Sequence, residues 1–475
     1  FSPPIHPRGC IKHIVRQWKK PFGVRIFNLY KDITHFVEEV EEGDIFVVLK
    51  GRSFDNSIYV EEAVKKGAKL VITPVDVDVN VEKIITENPR GVAEEWAKRI
   101  YEIEGLELIG ITGTNGKTTT SFILRKILSK CLGPAALIGT VIWDDLTSIK
   151  PSQLTTPERF YIYRLLGRAK RAGGRYAVME VSSIGLDQGR VDGLRFKVAV
   201  FTNLTRDHLD YHGTMENYLN AKLKLFKMLD ESSFAVINAD DPYSQHFINS
   251  TKAKVITYGK TGEYSFEITE HNINGLTIKI NGKTFYSPLI GEYNAYNITA
   301  AYSVARILGA SDDCIFDVLK DFKGVKGRLE RVYSKDFHVF VDYAHTPDAM
   351  EKVLKELRPF AKNLIVVFGA GGNRDVGKRP LMGEVAERYG DIIVLTSDNP
   401  RFEDPEKIIE DIASGIKHKK PFKIPDRREA IRFAINNAKK GDVVAILGKG
   451  HETYQEIKGI KHHFDDAEVV LEVVG

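Results

Sequence analysis

The stretch Leu106-Glu107-Leu108-Ile109-Gly110-Ile111-Thr112-Gly113-Thr114-Asn115-Gly116-Lys117-Thr118-Thr119 constrains the fold of this chain more than any other. An apolar run suited to a buried strand enters a glycine turn. It leaves as a segment carrying Phe122, Leu124, Ile127, Leu128 and Cys131 at helical spacing. Glycines let backbone N–H groups turn toward a phosphate, and the helix N-terminus adds partial positive charge. Lys117 can reach the outer phosphates of a nucleotide, and the Thr118 hydroxyl can ligate Mg²⁺. The strict pattern G-x-x-x-x-G-K-[ST] fails at Ile111; glycines stand at 110 and 113 instead. A chance Gly-Lys-Thr turn would not bring strand, loop and helix together in this order.

Further buried-type strands follow at 176–180, 198–201 and 234–237, with helical stretches between them. That alternation implies a largely parallel sheet covered on both faces. A second alternating series begins near Lys326-Gly327-Arg328, with strands at 339–342, 364–368, 392–395 and 443–447. Before the glycine loop lies a smaller unit with strand-like runs at 43–51 and 70–72. The chain therefore reads as an α/β protein of three domains: 1–103, 104–325 and 326–475. Ligands of such open sheets bind beyond the carboxyl ends of the strands.

Composition removes other classes. A net charge of +4 on 475 residues, without a dense basic block, argues against a nucleic-acid surface. No apolar run is long enough to cross a bilayer. No signal peptide is seen, although the chain starts at Phe1. The cysteines are Cys10, Cys131 and Cys314. An odd number without close pairs fits a reducing cytoplasm and excludes a cysteine zinc site.

Polar residues cluster at the strand ends. Glu180 closes one strand, and Asn203 to Asp210, which includes His208, follows another. Glu180 and His208 are candidate Mg²⁺ ligands beside Thr118; the carboxylate suits this hard ion better than the imidazole does. His208 and His212 have the spacing of a zinc pair, but Gly213-Thr214 marks a loop there and no further ligands follow. Lys222 lies in the apolar face of a helix over 215–229. Pattern alone favours a lysine whose stem packs and whose head reaches water. A fully buried amine would instead have a lowered pKa and could take up CO₂ as a carbamate. In the last unit Arg379, Asn399, Arg401 and Glu452 sit near adjacent strand ends. They suit a zwitterion, Arg for its carboxylate and Glu for its ammonium.

Taken in order, these pieces resemble the Mur ligases, within them the MurE type, over almost the whole chain. The matching segments are 112–118, Thr155-Thr156-Pro157, Glu180 to Ser183, Asn203 to Asp210, Ala221-Lys222, Gly291 to Asn297, Gly327 to Glu330, Asp342 to Pro347, Asp398 to Arg401 and Gly448 to Glu452. The resemblance implies an ATP-dependent ligase that joins a free amino acid to a UDP-linked peptide precursor through an acyl phosphate. It implies a small N-terminal α/β domain for the precursor, a central P-loop domain for ATP and a C-terminal Rossmann-like domain for the amino acid. Gly113 to Thr119, Asn294, Asn297, Arg328, Asp342 and His345 would contact ATP. Thr155, Thr156, Ser183, Gln188 and Arg190 would hold the precursor. Arg379, Asp398, Asn399, Arg401, Gly448 and Glu452 resemble the set that binds meso-diaminopimelate, whose extra carboxylate Arg401 would clasp. Lys117, Glu180, His208 and Lys222 would be catalytic. The family's lysine at position 222 is carbamylated, which reverses the reading from pattern alone. Two Mg²⁺ sites follow, built on Thr118, Glu180, His208 and the Lys222 carbamate. A cytoplasmic monomer is expected.

Two segments depart from the family. Ile184 follows Glu180-Val181-Ser182-Ser183 where MurE commonly has His, and Phe54 to Ile58 replaces a common Asp-Gly-His. Both handle the precursor, so the departures tilt the expectation toward an archaeal pseudomurein ligase over the bacterial enzyme for diaminopimelate or lysine. A folylpolyglutamate synthase-like ligase shares the core chemistry but not the Thr-Thr-Pro and Asp-Asn-Pro-Arg segments. A nucleotide-binding regulator without catalysis is disfavoured by the intact Lys117, Glu180, His208 and Lys222.

Overall fold

A computed structural model of the chain describes residues 29–51 and 55–475; Cys10 and Phe54 lie outside the described residues. The first sheet has four parallel strands in chain order: β1 (Ile33–Thr34), β2 (Ile45–Val47), β3 (Leu70–Thr73) and β4 (Glu82–Ile85). β2 and β3 are buried throughout, which explains their unbroken apolar runs.

The second sheet has eleven strands. Its parallel centre contains β5 (Glu107–Thr112), β6 (Ala135–Ile138), β9 (Tyr176–Glu180), β10 (Phe196–Phe201), β11 (Phe234–Asn238) and β12 (Lys254–Gly259). β5 lies between β9 and β10, with Ile111 opposite Glu180 and Thr112 opposite Phe201. This register brings the glycine loop, the Glu180 carboxylate and the segment from Asn203 to one edge. Apolar cores cover both faces of the sheet.

Strands that pair with one another antiparallel flank this centre, the first of them on one side, residues 264–272, joining it in parallel. One side carries β7 (Ile142–Asp144) and β8 (Ile149–Pro151); the other carries β13 (Tyr264–Asn272), β14 (Gly275–Ile280) and β15 (Lys283–Ser287). Sequence reading did not find them. β13 is mostly exposed and β8 has no buried residue, so neither makes an apolar run.

The third sheet runs β16 (Glu330–Ser334), β17 (His338–Asp342), β21 (Val443–Leu447), β18 (Leu364–Phe368), β19 (Ile392–Leu395) and β20 (Phe422–Lys423). Only the edge strand β16 is antiparallel. Asp342 and Phe368 both pair with Leu447, and Leu395 pairs with Phe368. The loops after β17, β18, β19 and β21 therefore leave one edge together. A hairpin, β22 (Tyr454–Ile457) and β23 (Ile460–His463), follows the last of these strands.

The cysteines depart from expectation. Cys131, which ends the helix Lys117–Cys131, is disulfide-bonded to Cys314 in the helix Asp312–Asp321. A separation of 183 residues hid the pair from a spacing argument. Among the described residues no helix is long and apolar enough to cross a membrane.

Candidate active site

Gly113 and Gly116 have φ of 149° and 86°, the left-handed region where glycine is favoured. A Cβ on Gly113 would stand 1.9 Å from Thr202 Oγ1, and one on Gly116 2.4 Å from Asn297 Oδ1. The loop therefore needs glycine for space as well as for backbone angle. Asn203 grips it: the Asn115 N–H donates to Asn203 Oδ1 at 2.9 Å, and Asn203 Nδ2 donates back to Asn115 O at 3.0 Å. The Thr205 N–H donates to Thr114 Oγ1 at 3.0 Å. Asn115 Nδ2 and Arg328 Nε are buried donors without a partner. Unpartnered buried donors at and near a glycine turn suit an anionic ligand.

Beside the loop, Thr118 Oγ1 donates to Glu180 Oε2 at 2.9 Å. Glu180 is fully buried and accepts further bonds from the Thr140 N–H at 2.9 Å and Thr140 Oγ1 at 2.8 Å. Thr140 was not found from sequence; it stands just beyond β6, without a motif around it. The pairing of Thr118 with Glu180 supplies hard oxygen donors at the loop, which fits Mg²⁺.

Lys222 is buried, at 1% exposure, on the helix Met215–Lys227. Its Nζ donates to Gly113 O at 2.9 Å and lies 4.7 Å from the centre of the Tyr218 ring. Burial pushes its pKa well below the usual lysine value; the Lys117 charge pushes the same way and Asp207 opposes. Lys117 Nζ donates to the same Gly113 O at 2.8 Å and to Thr114 O at 2.9 Å. Its pKa is lowered too, by burial first, with Glu180 and Asp207 opposing. Tyr218 also escaped the sequence reading, because its place in the apolar stripe made it look like core. Its hydroxyl meets Thr114 Oγ1 at 3.1 Å.

His208 stands apart from this cluster of bonds. It is half-exposed, has φ of 52° and lies 3.5 Å from Asp207. Among the described residues no three His, Cys, Asp or Glu side chains converge as a metal cluster. The expected metal set draws its other two members from Thr118 and Lys222. His212 is no zinc partner for His208: its Nε2 is 2.9 Å from Ser183 Oγ, in a buried contact.

The expected precursor residues gather around the end of β9. Thr155 Oγ1 is 3.1 Å from Thr140 Oγ1. Thr156 Oγ1 donates to Glu180 O at 2.9 Å, and Arg190 donates to Thr156 O at 2.7 Å and to Gln188 Oε1 at 2.6 Å. Thr156 and Ser183 are almost fully buried, so their side chains hold the site's frame. Asn56, in the departing N-terminal segment, is a structural plug. It donates to His35 O at 2.8 Å and Val47 O at 3.0 Å, and it accepts from the Leu49 N–H at 2.7 Å.

The expected nucleotide contacts past position 290 divide in the same way. Asn297 accepts from Thr120 Oγ1 at 3.3 Å and donates to Asn294 Oδ1 at 3.0 Å. Asp342 accepts from the backbone N–H groups of Leu329 and Ala344, at 2.6 and 2.7 Å, and so fixes the turn that carries Arg328. The Arg328 guanidinium lies 4.7 Å from the Tyr343 ring centre. His345 is exposed, with Nδ1 2.7 Å from Tyr343 O, and its own carbonyl accepts from Lys378 Nζ at 2.9 Å.

The amino-acid set is split. Arg379 is 1% exposed, and its guanidinium already pairs with Glu403 at 3.0 Å and Asp411 at 2.8 Å. Its two Nη atoms brace the loop, and its Nε is a buried donor without a partner. Asn399 Nδ2 donates to Glu452 Oε2 at 2.9 Å, and Gly448 would bring a Cβ within 2.5 Å of Asp398 Oδ2. Arg401 donates to Gly372 O at 2.7 Å, pairs with Glu456 at 3.3 Å and holds φ of 52°. It lines a cavity of about 740 Å³ with Phe402, Arg428, Gln455, Lys458 and His463; no glycine-loop residue reaches that cavity.

Residues 111–305 match the Mur ligase middle domain, and residues 327–450 match the glutamate ligase domain of Mur ligases. Over 458 residues, 95% of each chain, the protein is 46% identical to the UDP-N-acetylmuramoyl-L-alanyl-D-glutamate--2,6-diaminopimelate ligase of Aquifex aeolicus. The chain belongs to the Mur ligase family. A solved ligase structure of the same name is 35% identical, with a TM-score of 0.59 and 94% of each chain covered. As a Mur ligase the protein is an ATP-dependent enzyme that forms an amide bond and uses Mg²⁺. The tilt toward an archaeal acceptor is corrected. The pseudomurein peptide ligase type C of Methanothermus fervidus is 19% identical at a TM-score of 0.56, over 86% of this chain and 92% of its own, which is likeness of fold alone. Two local departures weigh less than identity spread over the whole chain.

Proposed function

We propose that this Mur ligase joins 2,6-diaminopimelate to the carboxylate of a UDP-N-acetylmuramoyl dipeptide. The observation that carries the catalytic reading is the convergence of Lys117 and Lys222 on Gly113 O, beside the buried Thr118–Glu180 pair. A precursor carboxylate oxygen attacks the γ-phosphorus of ATP, and the bond to ADP breaks. The substrate amine then attacks the acyl carbon, loses a proton and displaces phosphate. Lys117 swings from the loop carbonyls to the transferred phosphoryl group, whose charge it neutralises with Arg328. Thr118 and Glu180 would hold Mg²⁺, which would supply further charge neutralisation when bound. Burial and the Lys117 charge lower the Lys222 pKa, which favours its neutral amine. On adding CO₂ and losing a proton, that amine would become a carbamate, which with His208 would hold a second Mg²⁺.

The same reading assigns the units: 1–103 and the end of β9 to the nucleotide precursor, 104–325 to ATP, and 326–475 to the amino acid. We place the enzyme in the cytoplasm as a monomer. Arg401 favours diaminopimelate over lysine, because a bidentate guanidinium matches a second carboxylate that lysine lacks. The test is phosphate release with each of the two amino acids against the bacterial UDP-muramoyl dipeptide and an archaeal UDP-peptide. Turnover should require ATP, Mg²⁺, the bacterial precursor and diaminopimelate. Preference for lysine or for the archaeal precursor overturns the substrate assignment.

A further inference from the structure

Lys449 is the one lysine of the C-terminal sheet's strand-end loops that is wholly buried, and nothing in the reaction above uses it. It follows Gly448 at the exit of β21, and its side chain turns inward with no exposed surface. Its Nζ donates to Asn399 Oδ1 at 3.1 Å and to Glu452 Oε2 at 3.3 Å, and it lies 5.5 Å from the centre of the Tyr454 ring. Asn399 closes the triangle by donating Nδ2 to the same Glu452 Oε2 at 2.9 Å. Asn399 Oδ1 also accepts the Glu456 N–H at 2.9 Å.

This arrangement fixes the direction of both polar groups. The Asn399 amide cannot flip, since its oxygen faces one ammonium and one N–H while its nitrogen faces a carboxylate. Both bonds to Glu452 fall on Oε2, and none among the described residues falls on Oε1. A buried ammonium is costly without partners, and a partly buried carboxylate beside Asp398 is costly without a cation. Each therefore retains the other in place.

We propose that Lys449 is a positioning residue for the amino-acid substrate. It holds Asn399 and Glu452 in a single arrangement in which Glu452 Oε1 is presented to the substrate ammonium. The inference rests on Asn399 and Glu452 belonging to the amino-acid site. Among the described residues the Lys449 ammonium bonds Asn399 and Glu452 and lies near the Tyr454 ring, so its effect reaches the substrate through them.

The experiment is a double-mutant cycle on the full-length enzyme, read by phosphate release with whichever amino acid the wild type turns over. Failure of the diaminopimelate assignment then leaves the Lys449 comparison intact. Lys449→Met should raise the amino-acid KM by about 10-fold or more, with the KM for ATP and for the precursor within about twofold of wild type. In a Glu452→Gln background the same substitution should add less than about threefold, because the group that it positions is already changed. Lys449→Gln, which keeps a donor and removes the charge, should show the same split and serves if the methionine variant does not fold. An unchanged amino-acid KM, an equal rise in all three KM values, or full additivity with Glu452→Gln overturns the proposal.

Discussion

Lys117 and Lys222 donate to one and the same oxygen, the carbonyl of Gly113, at 2.8 and 2.9 Å. Two ammonium groups so close repel each other, and the more deeply buried one carries the larger cost. Lys222 is that group, and its lowered pKa favours the neutral amine, whose lone pair carbamate formation needs. Lys222→Ala should lower the rate of phosphate release by about 10³-fold, with partial recovery on adding a short carboxylate such as acetate or formate. Unchanged turnover in the variant removes Lys222 from the reaction.

The same burial has a signature in stability. With its pKa below the usual lysine value in the folded protein, Lys222 holds fewer protons there than in the unfolded chain. Stability therefore rises with pH from the depressed native pKa up to the ordinary value near ~10.4. Lys222→Met carries no such dependence at this position. In CO₂-free buffer its melting temperature should exceed that of wild type at neutral pH, by roughly 2–4 °C, and the gap should narrow as pH rises toward 10. A gap that widens with pH means that Lys222 is charged in the folded state.

Lys222 also shows where sequence reading reached its limit. The helical stripe placed it correctly on the buried face, but periodicity cannot tell a lysine whose head reaches water from one whose head is enclosed. Enclosure comes from Gly113 O and Tyr218, and Gly113 lies 109 residues away in the chain. The buried strands were legible for the opposite reason: β9, β18, β19 and β21 are apolar because helices cover both faces, and that burial is written into consecutive residues. β13 alternates weakly in solvent and left no such trace. Glu180 was found because it ends a strand. Thr140, which gives it two hydrogen bonds, sits in a turn that any small polar residue could occupy by local rules alone.

Arg379 and Arg401 read alike in sequence and differ in surroundings. Both Nη atoms of Arg379 are held by Glu403 and Asp411, and its Nε is buried, whereas Arg401 lines the cavity beside β22. Arg379→Ala should therefore act mainly on stability. It strips the charge that these two carboxylates share and should cost about 3 kcal/mol, seen as a lower melting temperature. Arg401→Ala should leave the melting temperature within about 2 °C and raise the diaminopimelate KM by about 10-fold or more, with the ATP KM unchanged. The reverse pattern would exchange the roles of the two arginines.

The Cys131–Cys314 disulfide ties the far end of the glycine-loop helix to the helix Asp312–Asp321. It spans 183 residues of chain, so the chain-entropy argument puts its contribution at about 5 kcal/mol, an upper value for a protein of several cores. The bond lies at the opposite end of the helix from Lys117, fourteen positions away by residue number at a rise of roughly 1.5 Å each, or about 20 Å. Reduction should therefore loosen the fold without disturbing the nucleotide cradle. Cys314→Ser, or wild type held in dithiothreitol, should melt about 5 °C or more below the oxidised protein while retaining its kcat and ATP KM at moderate temperature. Equal melting temperatures with and without reductant, together with two free thiols by titration in the unreduced enzyme, would show that the bond does not form in solution.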